Sequence, residues 1–191
     1  MIGFALTGSF CTFGKAIRVL EEISRSEEIL PIMSYNAYSL DTKFGNAADH
    51  NEKIRKITGK DIIRTIPEAE PIGPKIKLDC LVICPCTGNT MSKMANGICD
   101  TPVTMAAKAQ LRNERPVVIA LATNDALSGN SVSISKLMQR KNIYFVPFGQ
   151  DNASGKPNSL VCNFEKVYES IKCAVQGKQI QPIFSEEKVS L

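Results

Sequence analysis

Residues 78–90 read LDCLVICPCTGNT, and this stretch indicates the fold more clearly than any other. Residues 78–84 are mostly apolar, as in a strand that is covered on both faces of a sheet. Pro85 ends the strand, and a loop of small polar residues leads into a helical pattern at 89–95. We therefore predict a buried strand, a loop and a helix, which is the unit of parallel α/β sheets.

The same unit recurs on both sides of this stretch. Apolar runs predict further strands at 2–6, 29–33, 61–65, 117–121 and 143–147. Helical spacing predicts helices around 16–23, 47–58, 134–138 and 164–175, and two prolines and a glycine predict an ordered loop at 68–74. We expect an α/β fold with three layers, a doubly wound and mostly parallel sheet of the flavodoxin or Rossmann type. It should occupy residues 1–191 as a single domain, with its core at 1–175 and a C-terminal tail at 176–191.

Composition is that of an ordinary globular protein. Of the 191 residues, 43% are hydrophobic and 22% are charged, and the formal net charge of +4 is not gathered into a basic stripe. We therefore expect no nucleic-acid partner. The sequence contains no apolar run of about 18 residues and no basic leader, so neither a membrane span nor a secretory signal is predicted.

Cysteines are odd in number, seven in all, which favours reduced thiols in a chain without an export signal. Cys84 and Cys86 form a C-x-C pair, but no second pair or histidine cluster completes a zinc site. We predict no metal site and interpret most of the thiols as small buried hydrophobic side chains.

Three predicted strand ends carry small polar residues that suit an anionic ligand. They are 7–12 (TGSFCT), 85–90 (PCTGNT) and 122–125 (ATND). Glycine lets a backbone approach a ligand closely, hydroxyls donate to phosphate oxygens, and helix N-termini offer free N–H groups. Each loop taken alone can also be explained as a strand-end turn with a helix cap, although residues 85–90 hold more small polar groups than a cap requires. Because ligands of such sheets bind at the carboxyl ends of the strands, the three together predict one pocket for a phosphorylated, nucleotide-like ligand.

The single histidine, His50, falls on the polar face of a predicted helix next to Asp49. A Ser-His-Asp or Cys-His mechanism would have to use it. The sequence offers no other support for such a mechanism, and a surface histidine is the simpler interpretation.

The same segments resemble the proteins that bind flavin mononucleotide (FMN) and include the phosphopantothenoylcysteine decarboxylases and other homo-oligomeric flavin-containing Cys decarboxylases. Residues 85–90 are similar to that superfamily's Pro-Ala-Ser-Ala-Asn-Thr segment, 93–100 to the segment that follows it, and 122–124 to part of its Pro-Ala-Met-Asn motif. The resemblance implies a flavoprotein fold, an FMN site and a homo-oligomer, either a trimer or a dodecamer. Together with the loop chemistry it predicts a cofactor site made of Gly8, Ser9, Phe10, Ser34, Pro85, Thr87, Gly88, Asn89, Thr90, Thr104 and Asn124.

Two positions depart from the superfamily pattern. The decarboxylases carry an essential histidine ahead of the proline-containing motif, where this chain has Pro71, and Thr123 replaces the methionine of the later motif. A decarboxylase that acts through that histidine is therefore disfavoured.

A narrower resemblance, to the B-type subunits of dipicolinate synthases, covers nearly the whole chain. Its segments are 69–75, 85–100, 103–108, 111–113, 123–127, 141–151 and 179–182. The resemblance implies that this chain acts together with a dehydrogenase-like A-type subunit of dipicolinate synthase. The complex would use NAD(P) to oxidise a dihydrodipicolinate from the lysine pathway to dipicolinate during sporulation. The implied location is the cytoplasm of the mother cell.

A dicarboxylate substrate calls for cationic partners, and the candidates are Lys75, Lys93, Lys108 and Arg112. The catalytic residues are unknown, with Asn89 as the one candidate. Two alternatives stay open: a non-catalytic scaffold subunit that binds a nucleotide or flavin, and a flavin-dependent decarboxylase relative.

Overall fold

The computed structural model describes residues 1–185 and contains one seven-stranded sheet. Five strands are parallel and lie in the order β2-β1-β3-β4-β5: β1 (Ile2–Leu6), β2 (Ile29–Met33), β3 (Cys80–Cys86), β4 (Val117–Thr123) and β5 (Ile143–Phe145). Every residue of β1, β2 and β3 is buried, which explains their continuous apolar sequences. The predicted doubly wound, mostly parallel α/β fold is confirmed.

Eight helices connect or flank the strands of the described chain: α1 (Phe13–Ser24), α2 (Tyr35–Ser39), α3 (Ala47–Thr58), α4 (Ile66–Ala69), α5 (Gly88–Ala95), α6 (Pro102–Arg112), α7 (Ser131–Met138) and α8 (Val167–Val175). In one group of helices, α1 packs against α3 and α8. A second group packs α5 against α6 and α7, and α4 against α6. These groups form the outer layers around the sheet, as the three-layer prediction requires.

Two further short strands form an antiparallel hairpin at the end of β4, and the sequence does not predict them. β7 (Leu160–Cys162) pairs with the end of β4, where Ala122 faces Val161, and β6 (Phe148–Gly149) pairs with β7. β4 therefore changes neighbour along its length, from β5 at its start to β7 at its end. This antiparallel hairpin and its loop at 150–159 stand beside the carboxyl ends of the central strands.

The prediction of a strand at 61–65 is wrong. Only Ile63 pairs, through a single bridge to Ile32. Thr65 instead begins α4 with a capping box, in which its hydroxyl accepts the Glu68 N–H while the Glu68 carboxylate accepts the N–H groups of Arg64 and Thr65. The Arg64 N–H is the main cause that holds the pKa of the Glu68 carboxyl below its usual range. Helix formation from Ile66 to Ala69 also shortens the predicted loop at 68–74.

α6 is a further helix that the sequence analysis does not predict, and it begins with a second capping box. The Thr101 hydroxyl accepts the Thr104 N–H at 3.1 Å, and Pro102 occupies the first turn, where its missing N–H is no loss. The signal is therefore present in the sequence at 101–104.

Residues 179–185 of the predicted tail are paired with the sheet. The Gln179 side chain accepts the Phe145 N–H at 2.8 Å and donates to the Phe145 carbonyl at 2.7 Å, as a neighbouring strand would. The backbone of Ile183 and Ser185 bonds in the same way to Phe148. The rest of the predicted tail, residues 186–191, lies outside the described chain.

Candidate functional site

A cleft of about 920 Å³ opens at the carboxyl ends of β1, β3 and β4. The chain winds outward from β1 to β2 on one side and to β3 and β4 on the other, so the cleft lies beside the point where the strand order reverses. Its walls come from residues 8–12, 42–44, 87–89, 122–125, 151 and 156–161. All three predicted strand-end loops therefore meet in one cavity.

Thr7 joins the first two of these loops. Its buried hydroxyl donates to the Pro85 carbonyl at 2.8 Å and accepts the Thr87 N–H at 2.9 Å, and its own N–H also reaches the Pro85 carbonyl. A single side chain thus fixes the end of β1 against the end of β3. The spacing between the Gly8–Ser9 turn and the start of α5 follows from these contacts.

The N-terminus of α5 points into the cleft. Thr87 caps the helix by accepting the Thr90 N–H at 3.3 Å, so the first N–H groups, those of Gly88 and Asn89, have no intrahelical acceptor. Asn89 is exposed and lines the cleft. The helix end therefore presents N–H groups and a favourable dipole to an anion or a polar ligand.

Gly88 packs closely against the side chains of Thr123, at the end of β4, and of Asp125 and Asn130, which follow it. A Cβ at this position would lie 2.7 Å from Thr123 Oγ1 and 2.8 Å from Asp125 Oδ1. Thr123 and Asn130 both donate to the Asp125 carboxylate, and Ser92 donates to Asn130. The network fixes the Asp125 carboxylate next to the α5 N-terminus.

Asp151 forms part of the opposite wall of the cleft, on the loop between β6 and β7. Its side chain is 2% exposed, and its Oδ1 atom has no hydrogen-bond partner among the described residues. Lys156, which is half exposed, reaches Oδ2 at 3.7 Å. A buried carboxylate oxygen without a donor fits a ligand that supplies a hydroxyl or N–H group at this wall.

Seven of the eleven predicted cofactor-site residues line the cleft: Gly8, Ser9, Phe10, Thr87, Gly88, Asn89 and Asn124. Pro85 and Thr90 are buried beneath it and support the loop, since the Thr90 hydroxyl accepts from Thr87 at 3.0 Å. Ser34 does not line the cleft, because its side chain caps α2 by accepting the Ala37 N–H at 3.3 Å.

Thr104 lies away from the cleft, on α6. Its hydroxyl accepts the Thr101 N–H in the capping box of that helix. It borders a second cavity of about 300 Å³ near the C-terminal end of α5. Lys108 and Arg112, two of the candidate cations, border the same cavity. Lys93 pairs with Asp100 at 2.8 Å, and Lys75 lies in the turn after α4.

Several residues of the cleft are absent from the predicted site. They are Thr42, Lys43 and Phe44 in the loop before α3, and Asp151 and residues 156–161 around the β6–β7 hairpin. The sequence indicates Asp125 only as a possible helix cap. The positions of Asp151 and residues 156–161 depend on how the antiparallel hairpin pairs with β4, and no short sequence pattern predicts that pairing.

His50 has a packing role. Its ring packs edge-on against Phe13, with ring centres 5.3 Å apart, and a Cβ on Gly45 would lie 2.6 Å from His50 Nε2. His50 does not line the cleft. Within the described chain no group of three or more histidine, cysteine or acidic residues is arranged to hold a metal ion.

The cysteines of the described chain are unpaired, and four of them are buried. Burial raises the pKa of the Cys84, Cys86 and Cys162 thiols well above the ordinary range. Cys11 is exposed and lines the cleft. The buried thiols act as small apolar side chains, as predicted from the sequence.

Comparison with known proteins decides the family. A family model described as flavoprotein matches residues 1–175. The chain belongs to the flavoprotein family. This flavoprotein is 47% identical to the B subunit of dipicolinate synthase from Bacillus subtilis (strain 168), over 97% of this chain and 93% of that protein.

Solved structures agree with this placement. The crystal structure of the dipicolinate synthase B subunit from Bacillus halodurans matches with a TM-score of 0.89 and 46% identity, covering 97% of this flavoprotein and 96% of that chain. The FMN-dependent cysteine decarboxylase SpaF matches with a TM-score of 0.66 and 20% identity, covering 92% of this chain and 95% of that one, which shows the shared fold. The resemblance to the B-type subunits of dipicolinate synthases is confirmed, and the fold is shared with the cysteine decarboxylase. In residues 1–185, none of the helices has the length and apolar character needed to span a bilayer.

Proposed function

We propose that this flavoprotein is the B-type subunit of a dipicolinate synthase, an oxidoreductase that converts a dihydrodipicolinate to dipicolinate during sporulation. Likeness over nearly the full length to a protein of this type, at 47% identity, is the observation that carries the proposal. The reaction removes a hydride and a proton from the ring. In this proposal the hydride passes to NAD(P) on a dehydrogenase-like A-type subunit, in the cytoplasm of the mother cell.

We further propose that the cleft binds FMN. Its volume of about 920 Å³ lies within the range of small-molecule sites, about 300–1,000 Å³. Its walls differ in polarity: Ser9 and Lys43 suit an anion, whereas Asp125, beside the α5 N-terminus, and Asp151 accept hydrogen bonds. A phosphorylated nucleotide with hydroxyl and N–H groups at its other end has the matching polarity.

The residues present fit such a ligand. Gly8 and Ser9 would hold the phosphate end, and the exposed amide of Asn89 can donate and accept at the start of α5. The unpartnered Oδ1 atom of Asp151 would receive a donor from the other end. Bound flavin supplies reversible hydride chemistry, and the chain's residues position and shelter it.

A decarboxylase function is disfavoured by the cleft. Pro71 occupies the place of the superfamily histidine and lies in the turn after α4, and His50 packs on Phe13 outside the cleft. A scaffold role is the second candidate, and Thr123 favours it. Thr123 stands where the superfamily has a methionine, and its hydroxyl bonds to Asp125 within the chain.

Reconstitution tests the proposal directly. Dipicolinate formation is measured with the A-type protein by itself, with this chain by itself and with both, and FMN binding is followed by quenching of flavin fluorescence. The mixture should exceed either part alone, and Asn89→Ala should lower both binding and activity. Asn46→Ala, which changes an exposed asparagine outside the cleft, is the matched control.

Two outcomes would refute parts of the proposal. Equal rates for the A-type protein by itself and for the mixture would remove a catalytic role for this chain. Absence of flavin quenching together with a rate increase would leave the scaffold role. Light scattering on the purified chain tests the homo-oligomer, for which the superfamily resemblance predicts a trimer or a dodecamer.

A further inference from the structure

The second cavity, bordered by α5, α6 and the end of α7, has the makings of a binding site of its own. It measures about 300 Å³, the lower end of the usual range for small-molecule sites. Its border combines three cations with apolar side chains: Lys108, Arg112, Arg140, Met94, Ala107 and Leu111. Among the described residues that line it, none is acidic.

Two of the three cations are not neutralised by the protein. Lys108 and Arg112 have no ion pair or side-chain hydrogen bond within residues 1–185. They lie one turn apart on α6, where like charges repel each other and destabilise the helix. Lys93, by contrast, is paired with both oxygens of Asp100 at 2.8 Å. An anion between Lys108 and Arg112 would remove this repulsion.

The third cation is held in place before any ligand arrives. Arg140 donates to the Met94 carbonyl at 3.0 Å and to the Ala95 carbonyl at 2.9 Å, which fixes the guanidinium at the C-terminal end of α5. A guanidinium has five N–H donors, so further donors are available for an anion. A fixed donor loses little conformational entropy when a ligand binds.

The remaining border is apolar. Met94 and Ala107 are 6% and 1% exposed and belong to the core, whereas Ile98 is 47% exposed at the rim. An inorganic anion would leave this surface uncovered. A ligand with a flat hydrocarbon or aromatic body would cover it while its charged groups meet the cations.

We propose that this second cavity binds a compact dicarboxylate with a flat apolar body. The choice of a dicarboxylate rests on the proposed function, whereas the site itself is separate from the flavin site, because the two cavities share no lining residue. Gly88 and Asn89 border the cleft at one end of α5, and Met94 borders the second cavity at the other. An α5 of eight residues separates its two ends by about 12 Å, so a ligand in one cavity does not contact a ligand in the other.

Two cysteines report on the two cavities separately. Cys99 is partly exposed and lines the second cavity, whereas Cys11 is exposed and lines the cleft. Alkylation of each thiol by iodoacetamide is followed by mass spectrometry in the full-length protein, with increasing pyridine-2,6-dicarboxylate or benzene-1,3-dicarboxylate as the probe. The second probe has the same shape but does not chelate metal ions. Both should slow alkylation of Cys99 at least fivefold and leave Cys11 within twofold of its rate without probe.

Substitutions locate the charges that bind. Lys108→Ala and Arg112→Ala should each raise the half-protecting probe concentration about tenfold. Lys75→Ala, which removes an exposed lysine that lines neither cavity, should change it less than twofold. The inference is overturned if no probe protects Cys99, if Cys11 alone is protected, or if Lys75→Ala matches Arg112→Ala. In each of those results the second cavity is not a dicarboxylate site, whatever the cleft binds.

Discussion

Replacing Thr7 by valine should destabilise the protein more than its change in size and polarity suggests. The Thr7 hydroxyl, buried at 1% exposure, is the acceptor for the Thr87 N–H at 2.9 Å and a donor to the Pro85 carbonyl at 2.8 Å. In Thr7→Val the Pro85 carbonyl keeps the Thr7 N–H as a partner, but the Thr87 N–H loses its acceptor. An unsatisfied buried donor costs about 1–3 kcal/mol. For a chain of this size, a loss of about 2 kcal/mol lowers Tm by about 4–8 °C.

Thr12→Val provides a control with the same chemical change at the same burial. The Thr12 hydroxyl is also 1% exposed and donates to a carbonyl, that of Ser9, which keeps the Thr12 N–H as a partner. From the backbone of residues 1–185 it accepts no N–H, so the difference between the two variants isolates the loss of the acceptor for the Thr87 N–H. Calorimetry or chemical unfolding of both proteins gives that difference. Equal stabilities would refute the argument that Thr7 joins β1 to β3 through this bond.

Three further outcomes follow from the cleft and its surroundings. Asp151→Asn should raise the Tm of the ligand-free protein by about 2–4 °C, because it removes a buried charge whose Oδ1 has no partner in the described chain. The same variant should bind FMN at least tenfold more weakly. A lower Tm with unchanged FMN binding would contradict both expectations. Gly88→Ala should cost about 1–3 kcal/mol, because the added carbon overlaps the hydrogen-bonded side chains of Thr123, Asp125 and Asn130. Gly14→Ala, where nothing lies within 4 Å of the added carbon, should stabilise the protein by about 0.5–1 kcal/mol in the same unfolding assay. Burial raises the pKa of Cys84 above that of an unfolded thiol, about 8.5, so the contribution of Cys84 to stability should be complete below that pH and fall as the pH rises. Cys84→Ala should therefore flatten the decline of Tm between about pH 7.5 and 9.5. In the native protein Cys11 should react with a thiol reagent, whereas Cys84 should not.

The sequence is sufficient for the parallel core because each central strand is covered on both faces. Continuous apolar runs at 2–6 and 80–84 are explained by strands that are covered on both faces, and the polar loops after them must then meet at one edge of the sheet. Gly8, Ser9, Gly88 and Asn89 are predictable for this reason.

The residues that sequence reasoning misses are those whose place depends on tertiary pairing. β6 and β7 have two and three residues, too few for a periodic pattern, and they are defined only by their pairing to each other and to the end of β4. Asp151 enters the cleft on the loop that joins them. The strand at 61–65 fails for the opposite reason, since a local capping box at Thr65 outweighs the β-branched character of the segment.

The side-chain amide of Gln179 limits how far the chain can be shortened at its C-terminal end. By hydrogen bonding to both the N–H and the carbonyl of Phe145, it covers the free edge of β5. A protein truncated at residue 175, where the family match ends, would keep every helix and strand named above. It would, however, expose the edge of β5 to pairing with a second copy of the chain. Such a trimmed protein should self-associate and precipitate on concentration, whereas one that retains residues 176–185 should stay in solution.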